Sequence, residues 1–229
     1  MKLSKQSIAT FLALLFHGCG LIGILFTPYR DWFIRHTALN LGLMGLLLIW
    51  TQPVKNARFF LFILTAFLVG MGTEMIGVNT AKLFGHYQYG TLLGPKLNGV
   101  PYLIGANWFV VILCAASVME SMHDWFRHKM EAAGSLLPPR LALISLVVDG
   151  ALLALLFDWI MEPVAMKLGF WQWENQDIPL FNYTCWFLIS LFLLLVLKML
   201  RLNKPNHFAV HLFFIQCLFF LTLRTFLVL

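Results

Sequence analysis

Apolar runs about 20 residues long recur from one end of this chain to the other, and they restrict its possible folds more than any other feature. A helix rising 1.5 Å per residue needs about that length to cross ~30 Å of hydrocarbon. Inside hydrocarbon, every backbone N–H and C=O must be satisfied within the spanning structure itself. The pattern predicts an all-α, polytopic integral membrane protein of about seven transmembrane helices, at roughly 7–27, 34–51, 58–78, 100–119, 140–161, 182–200 and 206–228. Hydrophobic residues at 60% against 11% charged place the chain in the same class. The first run follows Lys2 and Lys5, as a signal peptide would. It is long for a signal's apolar region and lacks a small-residue cleavage site, so it reads as a span. Residues 1–229 read as a single transmembrane domain.

Within that frame the net charge of +6 is a bias of loops facing lipid, not a nucleic-acid footprint, because no basic stripe with interleaved aromatics exists. Ten basic residues (Lys2, Lys5, Lys55, Arg58, Arg127, Lys129, Arg140, Lys198, Arg201, Lys204) fall on the N-terminal side of the predicted topology. Six (Arg30, Arg35, Lys82, Lys96, Lys167, Arg224) fall on the other. The excess predicts a cytoplasmic N-terminus in the cell (inner) membrane, with the aromatic segments described next on the outer side. Cys19, Cys114, Cys185 and Cys217 lie singly in apolar runs and read as small buried residues. The polar stretch His123–Arg140 reads as an interfacial linker, in part an amphipathic helix.

The chain also repeats itself. Glu74 precedes Gly85 by eleven residues, as Asp158 precedes Gly169. Gly85-His-Tyr-Gln-Tyr answers Gly169-Phe-Trp-Gln-Trp, Val100-Pro101 answers Ile178-Pro179, and Trp-Phe follows seven residues after each proline. The first copy carries a six-residue insertion. Four matches in register indicate a duplicated helix pair, spans three and four against spans five and six. Spans three and five run the same way, so a pseudo-twofold along the membrane normal can bring Glu74 and Asp158 to face one cavity.

These two acids, with Glu162 one turn beyond Asp158 on the same helical face, are the candidate catalytic residues. The plain alternative is that they sit among lipid headgroups, but ionisable groups at membrane depth usually line a site. Two acids in one cavity offer a proton donor beside a proton acceptor. Tyr87, Tyr89, Trp171 and Trp173 are either an interfacial aromatic belt or the walls of a pocket that tolerates a developing cation. Asn107 and Asn182, where the fourth and sixth spans begin, are positioned to bind water or the acids, and Asn182 equally to cap its helix. Asp149 lies on another face of its helix and is expected to pair with a neighbouring helix, Arg224 being one candidate. His207 and His211 have metal-ligand spacing but no acidic or cysteine companion nearby, and no nucleotide motif appears, so neither metal nor cofactor is expected.

At Glu74-Met-Ile-Gly, Phe84-Gly-His-Tyr-Gln-Tyr89, Val100-Pro101, Asp158-Trp-Ile-Met-Glu-Pro163, Trp171-Gln-Trp173 and Pro179 followed by Asn182 and Trp186, the chain resembles the membrane carotenoid-biosynthesis hydratases, of the bisanhydrobacterioruberin hydratase and monocyclic-carotene end-group hydratase type. It differs in having Glu162 before Pro163 where the family commonly has Asp, and Gln176-Asp177 in place of a Gly-rich turn. The resemblance implies cofactor-independent addition of water to the terminal double bond of an acyclic carotenoid, giving a tertiary alcohol. It implies as partners a lipophilic carotenoid, water, the bilayer and other enzymes of the carotenoid pathway. Three other readings share some of these residues. A carotenoid cyclase would begin with the same protonation, and a membrane transporter would use the acids as a relay. A prenyltransferase is thinly echoed by Asp158-x-x-x-Glu162, without a second acidic cluster.

Overall fold

The computed structural model describes residues 4–134, 138–202 and 204–228, with Pro139 described by its backbone alone. Its helices are α1 (Lys5–Phe26), α2 (Arg30–Arg35), α3 (Thr37–Thr51), α4 (Ala57–Thr80), α5 (Tyr102–Ala132), α6 (Pro139–Lys167), α7 (Leu180–Met199) and α8 (His207–Leu227). Four very short strands accompany them: β1 (Tyr87–Tyr89), β2 (Lys96–Leu97), β3 (Val100–Pro101) and β4 (Trp171–Trp173). Six of the helices, α1 and α4 to α8, are long and apolar enough to cross a bilayer, which makes this a multi-pass, all-α membrane protein.

Two expected boundaries move. The predicted second span is divided at His36 into the six-residue α2 and the 15-residue α3. At 1.5 Å per residue α3 is about 22 Å long, short of the ~30 Å core. The break is where the apolar run begins, among Arg30, Asp31 and Arg35, which favour an interfacial turn of helix over a buried one. The predicted linker is also mostly helix: α5 continues to Ala132 through good helix formers such as Met122, Arg127, Lys129 and Glu131, aided by Arg127 pairing with Asp124 at 2.7 Å. Positions 135–137 of that predicted linker lie outside the described residues.

Helix α5 is the centre of the bundle. Nearly every residue from Ile104 to Glu120 is buried, and α3, α4, α6 and α8 pack around it. The outer helices bury one face and present Leu and Phe on the other, including Phe11 and Leu14 of α1 and Leu61, Leu64 and Leu68 of α4, as expected for lipid contact. At one end, Asn206 caps α8 by accepting from the backbone N–H of Phe208 and Ala209. The same side chain donates to Leu48 O, Thr51 Oγ1 and Gln52 Oε1, tying α8 to the end of α3.

At the other end the duplication becomes geometry. Helices α4 and α6 both terminate beneath an antiparallel pair of β1 and β4, in the register Tyr87↔Trp173, Gln88↔Gln172, Tyr89↔Trp171. That register is the one a twofold axis between Gln88 and Gln172 demands, because the repeat equates Tyr87 with Trp171 and Tyr89 with Trp173. Flanking bonds obey the same symmetry. Gly90 N–H donates to Phe170 O at 2.8 Å, and Glu174 N–H to His86 O at 2.9 Å. Trp108 and Trp186, the repeat's matched indoles, stack at 4.1 Å and 19°.

Candidate active site

Beneath the strand pair, the structure brings all nine sequence-predicted site residues to one pocket: Glu74, Asp158, Glu162, Tyr87, Tyr89, Trp171, Trp173, Asn107 and Asn182. Each is placed by an element of the repeat. Glu74 lies on α4, Asp158 and Glu162 on α6, the four aromatics on the strands, and the two asparagines at the starts of α5 and α7. The space among them is about 20 Å³ for the centre of a water molecule, room for about one water.

The three carboxyl groups are held very differently. Glu74 accepts three hydrogen bonds, from Tyr87 O–H (2.5 Å) and Tyr89 O–H (2.7 Å) on Oε2 and from Trp108 Nε1–H (3.1 Å) on Oε1. Glu162 accepts from Trp171 and Trp173, both indole N–H groups donating to Oε2 at 2.8 Å. Asp158 accepts only from Asn182 Nδ2, at 3.0 Å on Oδ2, and its fully buried Oδ1 has no partner among the described residues. Several donors converging on one carboxyl group suit its ionised form, and Glu74 has three and Glu162 two, against one for Asp158. The repeat therefore pairs Glu74 with Asp158 in sequence, but the aromatic donors of the second copy bind Glu162, one turn further on. Asp158 is the acid left over.

The aromatic residues are thus not an interface belt. Trp171 and Trp173 are buried with their N–H groups turned inward, and Tyr87 lies against Trp173 at 4.9 Å. Burial, and then the charge of Glu74, push the Tyr87 and Tyr89 phenols well up from their ordinary value, so both remain hydrogen-bond donors. Among the described residues, neither Lys nor Arg lines the pocket. Carboxylates and ring faces without a fixed cation form a site whose field favours a transient positive charge.

Close packing on α4 keeps Glu74 in reach of its donors. Gly70 and Gly77 flank it one turn away on each side, and a Cβ at Gly70 would lie 2.5 Å from Trp108 Cδ1, one at Gly77 2.8 Å from the Tyr87 hydroxyl. Gly70→Ala should push Trp108 off Glu74, with a cost of roughly 1–3 kcal/mol as for other overpacked cores. A lowered melting temperature in detergent together with red-shifted tryptophan emission would register it; wild-type values for both would show that the indole has room to spare.

Asp149 departs from expectation. It accepts from Ser145 Oγ within its own helix, and Arg224 goes elsewhere. Pro163 lies inside α6 and has no N–H, so the Trp159 carbonyl loses its helical partner. Arg224 of α8 donates to that oxygen at 2.8 Å and lies over the Trp159 ring at 4.1 Å, bracing α6 between Asp158 and Glu162. Asn182 bonds Asp158 and does not cap its helix, whose N-cap is Pro179. His211 bonds Thr10 Oγ1 at 2.8 Å, and no group of three or more His, Cys, Asp and Glu side chains suited to a metal occurs among the described residues. Sequence reasoning missed Trp108 as a donor to Glu74, although its place seven residues after a proline in both copies marked it. It also missed as pocket walls Phe84 and Trp186, which lie within the family-like motifs, and Ile104 and Met161, which carry no chemical signature of their own.

Comparison with known proteins places these features. Bisanhydrobacterioruberin hydratase of Haloarcula japonica is 28% identical over 140 residues, covering 59% of this chain and 43% of that protein. The chain therefore spans less than half the length of this curated relative in the match. No solved structure gives a significant match. The model of the family described as carotenoid biosynthesis protein matches residues 35–229, which takes in the whole duplicated core, and the chain belongs to that family.

Proposed function

We propose that this protein hydrates the terminal C=C of an acyclic carotenoid end group, with Asp158 as the proton donor. The observation that carries the assignment is the contrast in donors among the three acids: Glu74 accepts three hydrogen bonds and Glu162 two, whereas Asp158 accepts one and its Oδ1 is buried with no partner among the described residues. A carboxylic acid holding its proton on that oxygen delivers it to the less substituted alkene carbon. The π bond breaks, a C–H bond forms, and a tertiary cation is left on the neighbouring carbon. Tyr87, Tyr89, Trp171 and Trp173 face it with π electrons, and Glu74 opposes it with a fixed charge. Water adds to the cation, forming the C–O bond. Glu162, whose Oε1 accepts no hydrogen bond among the described residues, orients that water and takes its proton, which returns to Asp158 four residues away on the same helix face. The sum is alkene plus water to alcohol, with no change of oxidation state overall. Asn107 and Asn182 complete the polar wall, and the bias of basic residues supports a cytoplasmic N-terminus with the site in the outer half of the inner membrane.

The test is expression in a host that accumulates acyclic carotenes, followed by mass analysis of the pigments. Hydration adds one water per converted end. An isomer of unchanged mass would mean that an internal double bond captures the cation, which is cyclisation; unaltered pigment would remove the enzymatic reading.

A further inference from the structure

Three cavities meet at Asn107. One is the acid pocket, and the other two are apolar and much larger, about 530 Å³ and about 370 Å³. We infer that the 530 Å³ cavity is the binding site for the polyene chain of the substrate, entered sideways from the bilayer between α1 and α3. The inference rests on the hydratase reading for the identity of the guest and on geometry for its place.

The geometry has three parts. The large cavity joins the acid pocket through shared walls, Ile104, Asn107, Met161 and Trp171, whereas the 370 Å³ cavity touches that pocket at Asn107 alone. Its outer rim is formed by side chains exposed on the lipid-facing surface, Leu15, Phe16 and Cys19 of α1 and Leu39 of α3, so a hydrocarbon guest reaches it without crossing water. Its lining is almost wholly apolar, with Phe33, Phe157, Phe219 and Phe220 offering ring faces that suit a flat conjugated chain.

The cavity also breaks the pseudo-twofold. Under the repeat, Ile104, Asn107, Met161 and Trp171 correspond to Asn182, Cys185, Gly77 and Tyr87. On that second side Gly77 is packed beneath Phe84 and the Tyr87 hydroxyl, and Phe84 N–H donates to Cys185 Sγ at 3.3 Å, so the way is closed. Helices α1, α2, α3 and α8, which the repeat does not duplicate, supply most of the cavity wall. The duplicated core holds the acids, and the added helices hold the rest of the substrate. Since Asp158 is fully buried and the acid pocket has room for about one water, the reacting end must part the shared walls. Met161, unbranched and flexible, is the member best able to move. His17 and Gln216 are buried along this cavity, and Asn40 Oδ1 lacks a partner there among the described residues, so the alcohol formed has hydrogen-bonding groups on its way out.

The experiment uses the full chain in phosphatidylcholine nanodiscs with all-trans lycopene as the probe. Lycopene is achiral, so visible circular dichroism beyond that of lycopene in protein-free nanodiscs of the same lipid reports a chiral cavity holding it. Gly20→Phe fills the large cavity, where a Cβ would sit 3.4 Å from Phe219; Cys19→Trp obstructs its exposed rim and cannot disturb the core. Gly42→Phe fills the other cavity, where a Cβ would meet nothing within 4 Å. The inference predicts an induced signal for wild type and Gly42→Phe, and binding weakened about tenfold or more in Gly20→Phe and Cys19→Trp, by analogy with pockets that lose their fit to an apolar group. It is overturned if Gly42→Phe alone loses the signal, if Cys19→Trp binds as wild type does, or if wild type shows none. Lycopene bound as predicted but never hydrated leaves the cavity standing and removes the hydratase reading. Hydration at the wild-type rate by both Gly20→Phe and Cys19→Trp does the reverse.

Discussion

Asp158→Asn is expected to lose hydration by about 10²–10⁴-fold, the usual contribution of a positioned general acid, while the protein still folds and inserts. The substitution is nearly isosteric. The new amide oxygen can take the Asn182 Nδ2–H bond that Asp158 Oδ2 now accepts at 3.0 Å, and the amide nitrogen then occupies the place of Oδ1, which has no partner among the described residues. That nitrogen carries hydrogens but cannot release one to an alkene. Initial rates of alcohol formation and a melting curve in the same detergent give the two readouts. An unchanged rate would remove Asp158 from the mechanism, and loss of folding would make it a structural residue.

Glu74→Gln is expected to cost about 10²–10³-fold in rate, the range found when one preorganised electrostatic group is removed. Here too the fold should persist. The amide oxygen can face Trp108 Nε1–H, and the amide nitrogen can donate to the Tyr87 and Tyr89 hydroxyl oxygens, which are free to turn and accept. Only the negative charge opposite the cation is gone. Glu74→Leu provides the contrast, since it strands two O–H groups and one N–H in a buried site at about 1–3 kcal/mol each. Gln with a near wild-type melting temperature and a slow rate, beside Leu with both lowered, is the expected pattern. If Gln and Leu are equally active, Glu74 has no electrostatic part in the reaction.

Much of this was legible in the sequence because the bilayer simplifies the problem. Runs of apolar residues locate α1 and α4 to α8 directly, since nothing else in water or lipid uses such runs. The duplication pointed to the candidate pocket, because the acids Glu74 and Asp158 and the aromatic quartet recur at spacings that a shared geometry would keep. What stayed hidden depends on packing between copies. Strands of three residues such as β1 and β4 give no periodicity, so Tyr87, Tyr89, Trp171 and Trp173 read equally well as a belt. The separate fates of Asp158 and Glu162 were invisible for the same reason: spacing puts both on one face, but which one the Trp171 and Trp173 N–H groups reach is set by how β4 folds back over α6. The misjudged partner of Arg224 came from matching charge with charge. The carbonyl freed by Pro163 was the stronger claim, and Pro163 was in plain view.

The most direct test of the central claim, that a buried carboxylic acid protonates an alkene which water then captures, is turnover of an acyclic carotene by the purified protein in D₂O. The account predicts a tertiary alcohol carrying one carbon-bound deuterium on the carbon beside the carbinol for each hydrated end, with no such product from Asp158→Asn. Alcohol formed without carbon-bound deuterium, or deuterium gained in a ring-closed isomer without oxygen, would contradict it.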